Sequence, residues 1–270
     1  MILSDIHVHT TYCDGKSTVE EIVKKAISMN MTSIGFSSHE NVTFDPLYCM
    51  TVEGTQKYID DVNSAKEKYK DKIQIYLGTE KDYLGTPYDY NFDYTIGSVH
   101  YFKIGDKYYS YDLDPDEMID VVTSFFDGDY MKYVGMYYED VCKMAEKRNF
   151  DVAGHLNLVT KFNSGNKFFD ESSKEYQCMA YEAIKEVAKH CDIFEMNTGA
   201  ISRGYTKIPY PDSFMLKCIK DIGGKIVITS DSHIKDTLCF KFDECIDILK
   251  ALDYKSVVVL QNGKFIETSI

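Results

Sequence analysis

Short apolar runs alternate along the chain with longer segments whose apolar residues recur at helical spacing, the pattern of a βα-type fold. The first run, Ile2, Leu3 and Ile6, reads as a buried strand that ends in His7-Val8-His9. Side chains two apart on a strand share a face, so both imidazoles can reach one ion. Ser17-Thr-Val-Glu-Glu then offers an N-cap with an acid three residues on, followed by apolar periodicity through Met29. A second strand over 32–36 closes on His39 and Glu40. The polar connection over 41–50 is long enough to form a rim, and it leads to a helix near 53–69.

A third strand over 72–78 ends at Glu80, and a fourth over 92–99 ends at His100. The β-prone stretch 101–111 contains a Gly-Asp turn and predicts a small hairpin. Helices follow near 115–126 and 130–148. The run 150–154 leads to His155, with a helix over 174–190, and 192–194 leads to Glu195, with a helix over 211–222. The run 226–230 leads to Asp231-Ser232-His233, then a helix over 241–252 and strand-like pieces at 256–260 and 264–266. No low-complexity linker interrupts this order, so 1–270 reads as a single α/β domain.

A net charge of −13 without any run of Lys or Arg argues against nucleic-acid or anionic-membrane partners. No apolar stretch reaches about 18 residues, so no membrane span is expected. Neither a Walker loop nor a G-x-G-x-x-G is present, which leaves nucleotide cofactors without support. The eight cysteines are scattered with no C-x-x-C pair, and the start Met-Ile-Leu-Ser-Asp has no signal-peptide pattern. They read as reduced thiols of a cytoplasmic protein, with Cys13 the one close enough to the His-x-His to watch as a ligand. The 22 tyrosines read as core and half-buried surface.

The titratable residues change the picture most. Six of the seven histidines (7, 9, 39, 100, 155 and 233) fall directly after an apolar strand run, and His190 alone lies in a helical pattern. Glu80, Glu195 and Asp231 share the strand-end placement. In a β/α barrel the carboxyl ends of parallel strands converge on one rim, where catalytic residues gather. Imidazole and carboxylate without a thiolate cluster suit zinc, iron or manganese. Nine candidates exceed one tetrahedral site, so two or three divalent ions are expected, close enough to share a carboxylate.

The ordered motifs His7-x-His9, Ser38-His39, Gly78-x-Glu80, Ser98-Val-His100, Gly154-His155, Glu195-x-Asn197 and Ser230-Asp-Ser-His233 resemble those of the PHP (polymerase and histidinol phosphatase) family. The resemblance implies a distorted, TIM-like (β/α)7 barrel with a trinuclear metal centre at the C-terminal ends of the strands. Chain length, the Gly-His155-Leu-Asn-Leu-x-x-Lys161 segment and Glu195-Met-Asn-Thr-Gly-x-x-x-Arg203 are most similar to the stand-alone histidinol-phosphate phosphatases. That likeness implies a phosphoric monoester hydrolase converting L-histidinol phosphate to L-histidinol and phosphate in histidine biosynthesis.

By the same likeness His7, His9, Glu80 and Asp231 hold the first ion, and Glu80 bridges to a second completed by His100 and His155. His39 and His233 hold the third, with Glu195 as a ligand or a partner behind one. Many relatives carry another histidine after His-x-His; here Asp14 stands in that segment and is the expected substitute. Lys161 and Arg203 are expected on the phosphate, and Glu40 on the charged histidinol moiety. Glu80, Asp231 and His233 are the expected catalytic groups, with metal-activated water attacking phosphorus in line.

The competing reading within hydrolases is a PHP phosphoesterase for nucleoside phosphates or another small phosphomonoester. An amidohydrolase would need a bridging strand-end Lys, and none is evident. A non-catalytic metal-storing or phosphosugar-sensing module would bind ions and release no phosphate. The expected partners are a small phosphate ester and phosphate, and the expected assembly is a monomer or homodimer.

Overall fold

The computed structural model describes residues 3–86 and 90–270. Ile2, expected in the first strand, lies outside them. The order is β1 (Ser4–Asp5), α1 (Val19–Ser28), β2 (Ser33–Phe36), α2 (Val52–Tyr69), β3 (Gln74–Asp82), β4 (Tyr94–Ser98), β5 (Tyr101–Ile104), β6 (Lys107–Ser110), α3 (Pro115–Phe125), α4 (Tyr130–Lys147) and β7 (Val152–Ala153). It continues with α5 (Lys174–Val187), β8 (Ile193–Asn197), a short α6 (Gly199–Ser202), α7 (Ser213–Asp221), β9 (Lys225–Thr229), α8 (Phe242–Ala251), β10 (Ser256–Gln261) and β11 (Lys264–Ser269).

Local chemistry explains where the helices begin. The α1 cap is Thr18: its hydroxyl accepts from the Glu21 backbone N–H while the Glu21 carboxylate accepts from the Thr18 N–H, a capping box. Val19, Ile22, Val23 and Ala26 form the buried face of α1. Asp114 caps α3, with Pro115 at the first helical position, where a missing N–H costs nothing.

β1, β2, β3, β4, β7, β8 and β9 run parallel in that spatial order, with helices from the crossovers packed outside. Their residues are buried on both faces, which is why they read as near-continuous apolar runs. The sheet curls back on itself. Past β1, the His9 N–H donates to the Ser232 carbonyl (2.9 Å) and the Ser232 N–H to the His7 carbonyl (3.1 Å). This parallel bridge at Val8 and Ser232 closes a seven-stranded distorted barrel at its C-terminal rim. Below the seam β10 pairs with β9 at Val258 and Val227, and β11 adds an antiparallel edge. The hairpin β5–β6 is the expected excursion after His100.

Tyr94 fills the barrel interior, and its hydroxyl reaches the carbonyls of Ile6 (2.5 Å) and Phe36 (3.0 Å). Its side chain lies so close to Gly35 and Gly78 that a Cβ at either would fall within 2.5 Å of it. Asp5, fully buried, accepts from the Ser230 N–H (3.1 Å) and from the Cys239 N–H (3.0 Å), tying the floor of the seam together. Among the described residues no helix is long and apolar enough to cross a membrane.

Candidate metal centre

The strand ends deliver the expected side chains to one place. His7 and His9 follow β1, His39 follows β2, His100 follows β4, His155 follows β7, and Asp231 and His233 follow β9. Glu80 lies in β3, level with His39 of the neighbouring segment. Its Oε2 is 3.2 Å from His7 Nε2, 3.5 Å from His9 Nε2 and 3.0 Å from His39 Nδ1. Its Oε1 is 2.9 Å from His155 Nε2 and 3.5 Å from His100 Nε2. Asp231 Oδ1 approaches His9 Nε2 at 3.1 Å. Asp14 stands among His9, His39 and His233, with its Oδ2 2.9 Å from His233 Nε2.

Three overlapping groups can each hold a cation: His7, His9 and Glu80; His39, Glu80 and His100; and His9, Asp14, His39 and His233. His7 Nε2, His9 Nε2, Asp14 Oδ1 and Glu80 Oε2 are all buried without a hydrogen-bond partner. A buried polar atom left unpaired costs about 1–3 kcal/mol. Three of them converge beside Glu80 and Asp14 Oδ1 faces the neighbouring group, and metal ions fit as the missing partners. The rear nitrogens support this assignment. His7 Nδ1–H donates to Glu195 Oε1 (2.5 Å) and His100 Nδ1–H to Asp82 Oδ2 (3.2 Å). Each such bond fixes the tautomer and turns the other nitrogen, as a bare lone pair, toward the centre.

Electrostatics favour a cation as well. Burial alone would raise Glu80, but His7, His39, His100 and His155 hold it well below the usual carboxylate range. Burial likewise opposes ionisation of Asp231, and Arg203 with His7, His9 and His233 overrides it. Burial and the neighbouring His233 and His39 push His9 down to about 3. Cys13 lies 3.5 Å from His9 Nδ1, yet burial and Asp14 push its thiol up. The donors are therefore imidazoles and carboxylates, a set suited to two or three ions of zinc, iron or manganese.

Of the other expected residues, Glu195 takes the place behind a ligand and Glu40 stands outside the site. Glu195 lies in the middle of β8, not at its end. Its Oε2 accepts from the His155 N–H (2.7 Å) and its Oε1 from Thr229 Oγ1 (2.6 Å) and His7, so both oxygens are committed behind the donors. Glu40 follows inward-facing His39 in an extended segment, and successive side chains alternate faces. It turns outward onto Arg148 Nη2 (2.6 and 2.7 Å) and accepts from the Asp82 N–H, lining a separate cavity with Lys81, Lys147 and Arg148.

The centre opens into a 370 Å³ cavity that both expected phosphate-binding cations line. Arg203, on the turn after α6, donates to the Asp231 carbonyl (3.1 Å) and to Asp231 Oδ2 (3.0 Å). Lys161 Nζ donates to the Asp112 carbonyl (2.6 Å) and to Asp112 Oδ2 (2.9 Å), and lies 4.7 Å from the centre of the Tyr205 ring. Sequence reasoning missed Asp82, Asp112 and Lys16, which also lines the cavity. For Asp82 the signal existed: two residues beyond Glu80 on one strand puts it on the same face.

Comparison with known proteins agrees with this geometry. The family model described as PHP domain matches residues 5–199. The histidinol-phosphatase of Bacillus subtilis is 24% identical over 254 residues, covering 85% of this chain and 92% of the relative. A solved structure from Listeria monocytogenes superposes with a TM-score of 0.77 at 20% identity, covering 89% of this chain and 99% of its own. The histidinol phosphate phosphatase of Lactococcus lactis, solved with zinc, L-histidinol and phosphate, gives a TM-score of 0.73 at 20% identity, with 98% and 99% covered. Ordered motifs, barrel and family match converge, and the chain belongs to the PHP-domain family.

Proposed function

We propose that the chain is a metal-dependent phosphomonoesterase that hydrolyses L-histidinol phosphate to L-histidinol and phosphate. The observation that carries the reading is the convergence of unpartnered donor atoms around Glu80, in one cavity with Arg203 and Lys161. Relatives with histidinol-phosphatase names cover most of the chain, and the Lactococcus lactis structure holds both products of that reaction.

On this reading His7, His9, Glu80 and Asp231 would hold one ion, and Glu80, His100 and His155 a second. Asp14 and His233 complete a third with His39. Bound there, divalent ions supply a nucleophile at neutral pH and neutralise charge on the phosphoryl oxygens. Arg203 meets those oxygens as a planar fork and Lys161 as a point charge. Asp231 and His233, both in contact with Arg203, flank the space where the phosphoryl group meets the donors, and we assign proton handling to that pair. Glu195 and Asp82 keep His7 and His100 in the tautomer the ions require. With its described cysteines free, the same reading places the enzyme in the cytoplasm.

The test is phosphate release by zinc- or manganese-reconstituted protein from L-histidinol phosphate, beside nucleoside monophosphates and short oligonucleotides. The reading expects the highest kcat/KM on histidinol phosphate. A preference for nucleotides would replace the substrate, and metal uptake with no phosphate released from any ester would overturn the activity.

A further inference from the structure

Beyond the carboxylates of the donor groups, two acids among the described residues line the cavity, Asp45 and Asp112. Asp45 rides the half-buried rim segment and is engaged by the Tyr101 hydroxyl (2.8 Å) and the Tyr48 N–H (3.4 Å). Asp112 stands closer to the donors, near enough for its charge to act on His100 and His155. Its Oδ1 accepts from Ser110 Oγ (3.1 Å) and its Oδ2 from Lys161 Nζ (2.9 Å). The wall beside the donors thus carries one positive and one negative side chain in contact, both mostly shielded from water.

A phosphate monoester of a 2-amino alcohol carries the complementary charges, an anionic phosphoryl group and, on the second carbon from the ester oxygen, an ammonium. We propose that Asp112 is the specificity-determining residue for this ammonium: the entering phosphoryl group takes over Lys161 Nζ, and the ammonium takes over the Asp112 carboxylate so released. No bond is made or broken; two ion pairs exchange partners. The proposal rests on the reading of the site as a histidinol phosphate phosphatase.

The physical argument is one of leaving no charge alone. Without ligand, Asp112 and Lys161 satisfy each other, and Lys161 holds the carboxyl well below its usual range against the cost of burial. Separating such a pair in a shielded wall is costly unless each member finds a new partner. A zwitterionic ester supplies both partners at once. An ester lacking the amine supplies only one and strands the Asp112 carboxylate, and sites built to pair a charged N–H discriminate strongly against analogues without it.

The experiment compares zinc-loaded wild type and Asp112→Asn on L-histidinol phosphate and on its deamino analogue, which keeps the imidazole and the phosphate ester. Wild type is expected to prefer the amine-bearing ester by roughly 10- to 100-fold in kcat/KM, the range of a charge-assisted hydrogen bond. The Asn variant is expected to bring that ratio close to one, chiefly through KM, at unchanged zinc content. A merely structural role would change both esters by the same factor and keep the ratio, which would overturn the proposal. Asp112→Glu keeps the charge; it is expected to retain part of the preference, and it supplies the comparison if the Asn variant does not fold. Wild type that cleaves both esters equally overturns the role of Asp112 and leaves the phosphatase reading standing. Wild type that cleaves neither overturns both.

Discussion

His7 Nδ1 and Glu195 Oε1 lie 2.5 Å apart, and neither side chain is exposed to solvent. The carboxylate accepts the rear N–H of the imidazole, so the front nitrogen faces Glu80, 3.2 Å away, and becomes a metal donor once its own proton is displaced. Glu195→Gln replaces a charged acceptor by a neutral amide and weakens that hold. Metal affinity is expected to fall by roughly 10- to 100-fold, the usual cost of losing a partner behind a ligand. Metal titration of the folded variant measures it, and wild-type affinity would remove Glu195 from this role.

Glu80→Gln should be more severe, because Glu80 alone touches His7, His9, His39, His100 and His155. Its loss is expected to remove bound metal and several kcal/mol of transition-state charge stabilisation. That corresponds to roughly a thousandfold fall in turnover. Elemental analysis alongside a phosphate-release assay reads both, and full activity with full metal content would refute the bridging role.

Arg203→Ala is expected to raise KM for the phosphorylated substrate at least about tenfold, the worth of a charge-assisted hydrogen bond. Because Arg203 also contacts Asp231, kcat should fall with it, and Arg203→Lys should restore only part of the loss. An unchanged KM would take Arg203 out of the substrate site.

Metal loading should depend on pH with a definite sign. Burial lowers the pKa of His7 and His39, but Glu195, Glu80 and Asp231 around His7, and Glu80 and Asp14 around His39, hold both well above the ordinary imidazole value. The metal-free protein therefore carries protons that incoming ions must displace. Apparent affinity is expected to weaken as pH is lowered, with protons released on loading. Calorimetry in buffers of different ionisation enthalpy detects that release, and buffer-independent heats would contradict it.

Glu40 and Arg148 make a shielded ion pair outside the metal cavity, one guanidinium nitrogen donating to both carboxylate oxygens. Arg148→Ala leaves the carboxylate without its partner and is expected to cost about 3 kcal/mol of stability. The effect should appear as a lowered thermal midpoint, with KM for histidinol phosphate little changed. A large KM effect with no loss of stability would return Glu40 to the substrate site.

The donors after β1, β2, β4, β7 and β9 were legible because a strand buried on both faces reads as an apolar run with an abrupt polar end. The same rule set Glu80 and Glu195 at strand ends, whereas β3 continues to Asp82 and β8 to Asn197, so both lie inside the barrel wall, where a buried charge is hard to tell from a strand terminus. Glu40 was misassigned because a residue beside a ligand is its sequence neighbour but faces the opposite way. Asp14 illustrates the opposite case: no strand carries it, yet Gly15 packs directly on the His9 and Thr10 backbone and folds the turn so that its carboxylate faces His233. Asp112 comes from just past the hairpin, and its proximity to Lys161 spans 49 residues that no local pattern connects.

Val8 and Ser232 are bridged neighbours, so the donor cluster straddles the join between the earliest and the latest barrel segments to leave the ribosome. A bound ion acts there as a rivet, and any ion that binds only the closed barrel adds its binding free energy to keeping that join shut. Starvation for such ions would then do more than silence the enzyme: it would lower the free-energy cost of opening that join.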